Sequence, residues 1–183
     1  MLAREFGWNA YYESVVNNPY LADFYKDMKR WSFHLQVYFL SHRFRIHRKI
    51  ITSEESVVQD RSIYEDVEIF AGNLYHMGRM EKRDYINYRY LFREMTSFLV
   101  PPDLIVYLKA GVKTLLNQIN LRGRDFEKNI ERKYLERLNI SYGRWVRKYN
   151  LGRLIVIESD KLDFVNRKSD FLLIRDKIIK ELN

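Results

Sequence analysis

Apolar and polar positions follow two rhythms along this chain, one short and one helical. Asn9-Ala10-Tyr11-Tyr12-Glu13, Val57-Val58-Gln59, Leu104-Ile105-Val106-Tyr107-Leu108 and Leu154-Ile155-Val156-Ile157 read as strands. The last two are continuously apolar, which predicts parallel strands covered on both faces. Segments with helical spacing run at roughly 19–28, 31–49, 62–77, 81–99, 111–121 and 128–149, with a last one near 168–182. Pro101-Pro102-Asp103 ends one helix and launches a strand, and Gly152 closes another before Leu154. Strands separated by crossover helices predict an open α/β sheet. No internal repeat or low-complexity segment interrupts it.

In such sheets ligands bind beyond the carboxyl ends of the strands. Polar groups stand at all four ends: Glu13, Asp60-Arg61-Ser62, Lys109-Ala110-Gly111 and Glu158-Ser159-Asp160. If the first two strands are neighbours, Glu13 and Arg61 face a common crevice and supply a base and a cation clamp. A surface salt bridge, or a helix cap at Asp60 or Ser62, explains the same residues. On the next helices, Gln36 and Arg43 lie two turns apart on one face of an otherwise apolar stretch. Ser62, Asp66 and Phe70 are spaced i, i+4 and i+8, setting a carboxylate beside a ring. Amide, guanidinium, carboxylate and ring together match the edge and face of a nucleobase. A structural Arg43–Asp66 ion pair with Phe70 in the core fits equally. Arg122-Gly123-Arg124 lies between two helices and suits either a loop closing over phosphates or a solvated loop.

Composition narrows the classes. The chain has 183 residues with 46% hydrophobic positions, as one folded domain has. Its longest apolar run, Leu104 to Leu108, is far short of the roughly 20 residues that cross a bilayer. There is no cysteine, so disulfides, thiolate metal sites and cysteine nucleophiles are excluded. The first residues lack the apolar core of a signal peptide, so a cytoplasmic location is expected. Net charge is +8, concentrated at Lys29–Ser53 and Arg122–Arg153. Basic stretches suit nucleic acid or small phosphorylated ligands, but no nucleic-acid recognition motif is present. Histidines 34, 42, 47 and 76 show no metal-ligand spacing.

Tyr12-Glu13, Asn18-Pro19-Tyr20-Leu21, Phe24-Tyr25-Lys26-Asp27, Trp31-Ser32-Phe33 with Gln36 and Arg43, Asp60 to Asp66, Ile69-Phe70-Ala71 and Arg122-Gly123-Arg124 together resemble the deoxyribonucleoside kinases, particularly bacterial deoxyadenosine/deoxyguanosine kinase-like members. The likeness runs in order over essentially the whole chain. It implies one P-loop kinase-like domain over 1–183, with a lid at 121–128, that transfers the γ-phosphate of ATP or another nucleoside triphosphate to the 5′-hydroxyl of a deoxynucleoside. By that resemblance Glu13 is the general base and Arg61 holds the developing charge, while Asp60 takes the position linked to Mg2+. Tyr25 and Glu127 fall where the sugar 3′-hydroxyl binds; Phe126 replaces the first of two acids usual there. Gln36, Arg43 and Asp66 match the readers of the base edge, Phe70 the stacking ring, and Arg122 and Arg124 the lid arginines. Asp163-Phe164 falls in the loop around the donor's base. The Arg43 and Asp66 pair resembles members acting on deoxycytidine and purine deoxynucleosides more than thymidine-specific ones. A homodimer is also implied, with Tyr85 to Phe92 as a candidate contact that core burial explains as well.

One family feature does not occur in the sequence: the P-loop, G-x-x-x-x-G-K-[ST]. Met1 to Trp8 resembles the end of the helix that follows it, so about 20 preceding residues are expected to be missing. The resemblance sets the missing strand mid-sheet, which predicts a gap with two bare edges between the strands at Val57 and Leu104. A chain that truly lacks those residues is expected to be poorly stable and a very weak kinase. The alternative is a non-catalytic protein that keeps the nucleoside pocket.

Overall fold

The computed structural model describes residues 1–13, 18–127 and 130–183, leaving out the side chain of Phe126. Its elements are α1 (Leu2–Phe6), β1 (Asn9–Tyr11), α2 (Leu21–Lys26), α3 (Met28–Ile51), β2 (Val57–Gln59), a π-helical segment (Asp66–Ala71), α4 (Gly72–His76), α5 (Lys82–Thr96), β3 (Leu104–Lys109), α6 (Val112–Arg122), a 3-10 turn (Asp125–Glu127), α7 (Arg132–Lys148), β4 (Arg153–Glu158) and α8 (Lys168–Leu182).

The strands form two parallel pairs, β1 with β2 and β3 with β4. Among the described residues no ladder joins β2 to β3. Coverage of β3 and β4 is thinner than their apolar runs predict, because Leu108 and Val156 are each 41% exposed. One face rests on a small core of Ile157, Ile174 and Ile178 with Leu104, Val106 and Phe164. The larger core is helical and gathers Phe24, Leu35, Leu40, Ile63, Leu74, Tyr88 and Leu135.

Helix α3 shows why the site forms where it does. Asp27 caps it, accepting from the Arg30 N–H at 3.1 Å, which starts the helix at Met28 rather than near residue 31. Its buried face, Ser32, Leu35, Gln36, Phe39, Leu40, Arg43 and His47, repeats every three or four residues. Burying each large apolar side chain contributes about 1.5–3 kcal/mol. That drive carries Gln36 and Arg43 inward with Leu35, Phe39 and Leu40.

The single helix expected over 62–77 is instead a turn, a π-helical segment and then α4. The Glu65 carboxylate accepts from the Ser62 N–H at 2.8 Å and from the Ser62 hydroxyl, holding 62–65 in a turn. Arg61 just before it has φ 62°, a left-handed conformation unusual for a residue with a Cβ. π-Helical turns are rare and are frequent at functional positions. The helix expected over 128–149 runs from Arg132; Lys128, its expected first residue and the last of the lid, lies outside the described residues.

Candidate functional site

The register of β1 on β2 sets Tyr11 beside Gln59, and the Asp60 N–H donates to the Tyr11 carbonyl at 2.8 Å. Both chains then leave the pair at the same end. Glu13, expected to end β1, lies two residues beyond it, as Arg61 does beyond β2. Arg61 Nη1 is 2.9 Å from Glu13 Oε1. From α3, Arg43 donates through Nη2 to Glu13 and through Nη1 to Asp66 Oδ1. Arg61 Nη2 lies 3.5 Å from the same Asp66 oxygen, and its guanidinium carbon sits 3.7 Å from the centre of the Phe70 ring. Tyr142 of α7 meets that ring edge-on at 6.1 Å. Glu13, Arg43, Arg61, Asp66 and Phe70 therefore meet at one place beyond the ends of β1 and β2, and the Arg43–Asp66 ion pair offered as the structural alternative is part of it.

Two cations and two carboxylates balance in this cluster, and their environments divide them. Burial alone would raise the Glu13 carboxyl, but Arg61 and Arg43 outweigh it and hold it below the ordinary glutamate value. Asp66 goes the other way: its side chain is fully buried, and desolvation pushes its carboxyl up despite Arg43 and Arg61. Arg43, although desolvated, is held charged more firmly than usual by Asp66 and Glu13. Three buried atoms here have no hydrogen-bond partner: Asp66 Oδ2, Gln36 Oε1 and Arg61 Nε. An acceptor and a donor left open in the cluster, with a second open acceptor on Gln36 two turns from Arg43 along α3, are what a bound molecule with complementary polar edges would satisfy.

Ser62 and Glu65 are absorbed by the turn, and neither Asp60 nor Ser62 caps the helical segment that follows, whose N-cap is Glu65 without a side-chain bond. Their S-x-x-E spacing is a capping-box signature that could have flagged Glu65. Asp60 is exposed, and partial desolvation with the nearby Glu13 charge raises its carboxyl. Among the described residues no group of three or more His, Cys, Asp or Glu is arranged to hold a metal. A lone carboxylate still fits Mg2+, which keeps several waters and takes one or two carboxylates with substrate phosphates.

A second cluster closes α6. Gly123, at φ 64°, ends that helix in the left-handed conformation that glycine adopts without a Cβ penalty. Arg122 and Arg124 on either side then turn back onto Glu127. Glu127 is 7% exposed and accepts from Arg122 Nε at 3.0 Å and from Arg124 Nη1 at 3.4 Å. Helix α2 packs against this turn. Burial pushes the Tyr25 hydroxyl up to about 12, Glu127 adding to the shift, while Arg122, Arg61 and Glu13 also act on it. Tyr25 thus lies between the two clusters.

The remaining strand ends are tied to one another. Lys109 Nζ is 2.7 Å from Glu158, the Ser159 N–H donates to the Lys109 carbonyl at 2.8 Å, and Asp160 accepts from the Gly111 N–H at 2.8 Å. Asp163, in the β4–α8 connection, accepts from the Asn166 N–H at 3.1 Å, and Phe164 packs in the small core. Among the described residues no hydrogen bond or ion pair joins either to the Glu13 cluster. Tyr142 and Tyr88 were missed from the sequence; Tyr88 is fully buried, its hydroxyl pushed far up by burial and by Asp66. On the sequence Tyr142 carries no signal, and Tyr88 falls in the Tyr85–Phe92 stretch read as a dimer contact or as core.

The sequence profile of the family described as deoxynucleoside kinase matches residues 1–183. A deoxyadenosine/deoxycytidine kinase of Bacillus subtilis (strain 168) is 38% identical over 97% of this chain and 82% of its own length. A deoxyguanosine kinase of the same organism is 36% identical, covering 93% of this chain and 84% of its own. Among solved structures, deoxyadenosine kinase from M. mycoides, with products dCMP and a flexible dCDP bound, superposes with a TM-score of 0.86 at 28% identity, covering 98% of this chain and 90% of that one. A buried charge cluster at the carboxyl ends of parallel strands and a match over the full length agree: this chain belongs to the deoxynucleoside kinase family.

Proposed function

We propose that this chain phosphorylates the 5′-hydroxyl of a deoxyribonucleoside, with ATP or another nucleoside triphosphate as donor, to give the 5′-monophosphate in nucleotide salvage. The observation that carries this is the Glu13–Arg43–Asp66–Arg61 cluster with its open buried atoms. Gln36 Oε1 and Asp66 Oδ2 take donors from the base edge, and Phe70, braced by Arg61 and Tyr142, stacks on its face. Glu13, ionised at neutral pH, accepts the proton of the 5′-hydroxyl, and Arg61 stabilises the charge that develops there. Phosphoryl transfer asks for positioning and positive charge more than covalent chemistry. Tyr25 and Glu127 hold the sugar 3′-hydroxyl, while Arg122 and Arg124 close on the phosphates. Asp60 would hold Mg2+, which when bound neutralises phosphate charge. Asp163 and Phe164 flank the donor's base.

Adenine, guanine or cytosine is the base: the Arg43 and Asp66 pair is the feature by which the chain resembles members acting on those bases, and the relatives' names, deoxyadenosine/deoxycytidine and deoxyguanosine kinase, support that range. Among the described residues no helix is long and apolar enough to cross a membrane; a cytoplasmic location is carried over with the family assignment. The exposed Ile86, Tyr90 and Leu91 of α5 form the contact of a homodimer, while Tyr88 on the opposite face serves the core. The test is calorimetric titration with deoxyadenosine, deoxyguanosine, deoxycytidine and thymidine, alongside phosphate transfer from labelled ATP. Saturable binding of one of the first three, lost in Gln36→Leu, is expected. Failure of all three to bind overturns the reading.

A further inference from the structure

A cavity of about 780 Å3 opens away from the Glu13 cluster. It lies between the π-helical segment and the carboxyl-terminal ends of α5 and α7, and neither Glu13, Arg43, Arg61 nor Asp66 lines it. Its size is that of a small-molecule site, for which about 300–1,000 Å3 is usual. Val67 and Tyr64 form its floor, and Phe92 and Trp145 supply flat walls.

Two independent features point to a ligand. Tyr64 is only 6% exposed, and its hydroxyl has no hydrogen-bond partner; the Tyr149 hydroxyl, also at this cavity, has none. Buried hydroxyls are ordinarily satisfied, so two open ones at one cavity call for a polar guest. At the rim stand Arg93, Arg144 and Lys148, against the single carboxylate Glu68. Among the described residues none of the three cations is in an ion pair. An excess of unpaired cations above an apolar, aromatic floor selects an anion with a flat body.

We propose that this cavity is a second ligand site, which takes a nucleoside monophosphate: the base lies against Trp145 and Phe92, the sugar or base edge pairs with the Tyr64 and Tyr149 hydroxyls, and the phosphate meets Arg93, Arg144 and Lys148. The choice of nucleotide rests on the function proposed above, whose product is of this class; the site itself rests on the cavity. An uncharged nucleoside leaves the rim cations unmet and binds poorly. The occupant presses on the turn that carries Arg61 and Asp66, because Tyr64 and Val67 belong to it.

The test uses the whole chain labelled with 5-fluorotryptophan, with the Trp145 fluorine signal identified through Trp145→Phe. Titration with deoxyadenosine monophosphate is expected to shift that signal saturably. The double variant Arg144→Glu/Lys148→Glu raises the apparent Kd by at least about tenfold, and Gln36→Leu, on α3 and away from the cavity lining, leaves it unchanged. Deoxyadenosine at the same concentrations gives no saturable shift. The proposal is overturned if the Trp145 signal does not titrate, if charge reversal leaves the Kd unchanged, if deoxyadenosine shifts the signal equally, or if Gln36→Leu abolishes the shift. Loss of deoxynucleoside binding at the first site would sink the function but leave this titration standing, so the two failures are told apart.

Discussion

The Glu13 cluster and the Glu127 cluster both set two arginines against carboxylate, yet they are built oppositely. In the first, Arg43 and Asp66 expose 4% and 0% of their side chains and Arg61 only 23%, and each charge answers at least two others. In the second, a carboxylate 8% exposed is met by Arg122 and Arg124 that remain 46% and 34% exposed. Buried charges hold one another because each would be costly alone, whereas half-exposed arginines are kept partly by water and can change partner. In the proposed function the first cluster serves as a preformed pocket wall and the second as a lid.

The largest consequence concerns Arg43. Arg43→Ala leaves two carboxylates facing each other in the interior, and a loss of about 3–5 kcal/mol in urea unfolding is expected; a loss below about 1 kcal/mol would end the contrast. Next is Arg61→Gly, which retains the left-handed turn. It should leave the unfolding midpoint close to that of the parent while lowering the rate of phosphate transfer by at least about a hundredfold, read in a single-turnover assay.

A smaller effect follows from pH. Glu13 has its folded pKa lowered, so its stabilisation is present above the ordinary carboxylate value and fades as pH falls through the lowered one. Asp66 has its folded pKa raised, so it contributes in the opposite sense and loses its share as pH climbs toward that value. Urea midpoints measured between about pH 3 and 6 should therefore rise with pH less in Glu13→Gln than in the parent, and more in Asp66→Asn. The smallest change is expected at the lid: Arg124→Ala alters stability by under about 1 kcal/mol while raising the KM for the triphosphate. Equal stability losses in Arg124→Ala and Arg43→Ala would erase the distinction between wall and lid.

Much of this arrangement was legible before any coordinates. Alternating strands and helices gave the α/β order, and helical spacing alone put Gln36 and Arg43 on the inner face of α3. The meeting of Glu13 with Arg61 was foreseeable once β1 and β2 were taken as neighbours. What escaped was long-range or irregular. A π-helical turn has no 3.6-residue rhythm, so the spacing of Asp66 and Phe70 was read as an ordinary helix; it is Arg61, from outside that segment, that links them. The bond from Arg43 to Glu13 joins residues 30 apart, and no local pattern announces it. Strand ends of similar chemistry also diverged: Glu158 and Asp160 turn to Lys109 and Gly111, because β3 and β4 stand in parallel with their ends together.

Arg61 has φ 62° and carries a long cation where the backbone is lowest in energy with glycine or asparagine. The conformation costs about 1–2 kcal/mol, and every copy of the chain bears it. Adaptation to heat therefore meets a conflict at position 61 between a relaxed turn and a charged one. A lineage that needs a sturdier enzyme has to find its gains elsewhere, in the half-covered faces of β3 and β4, and leave this turn alone.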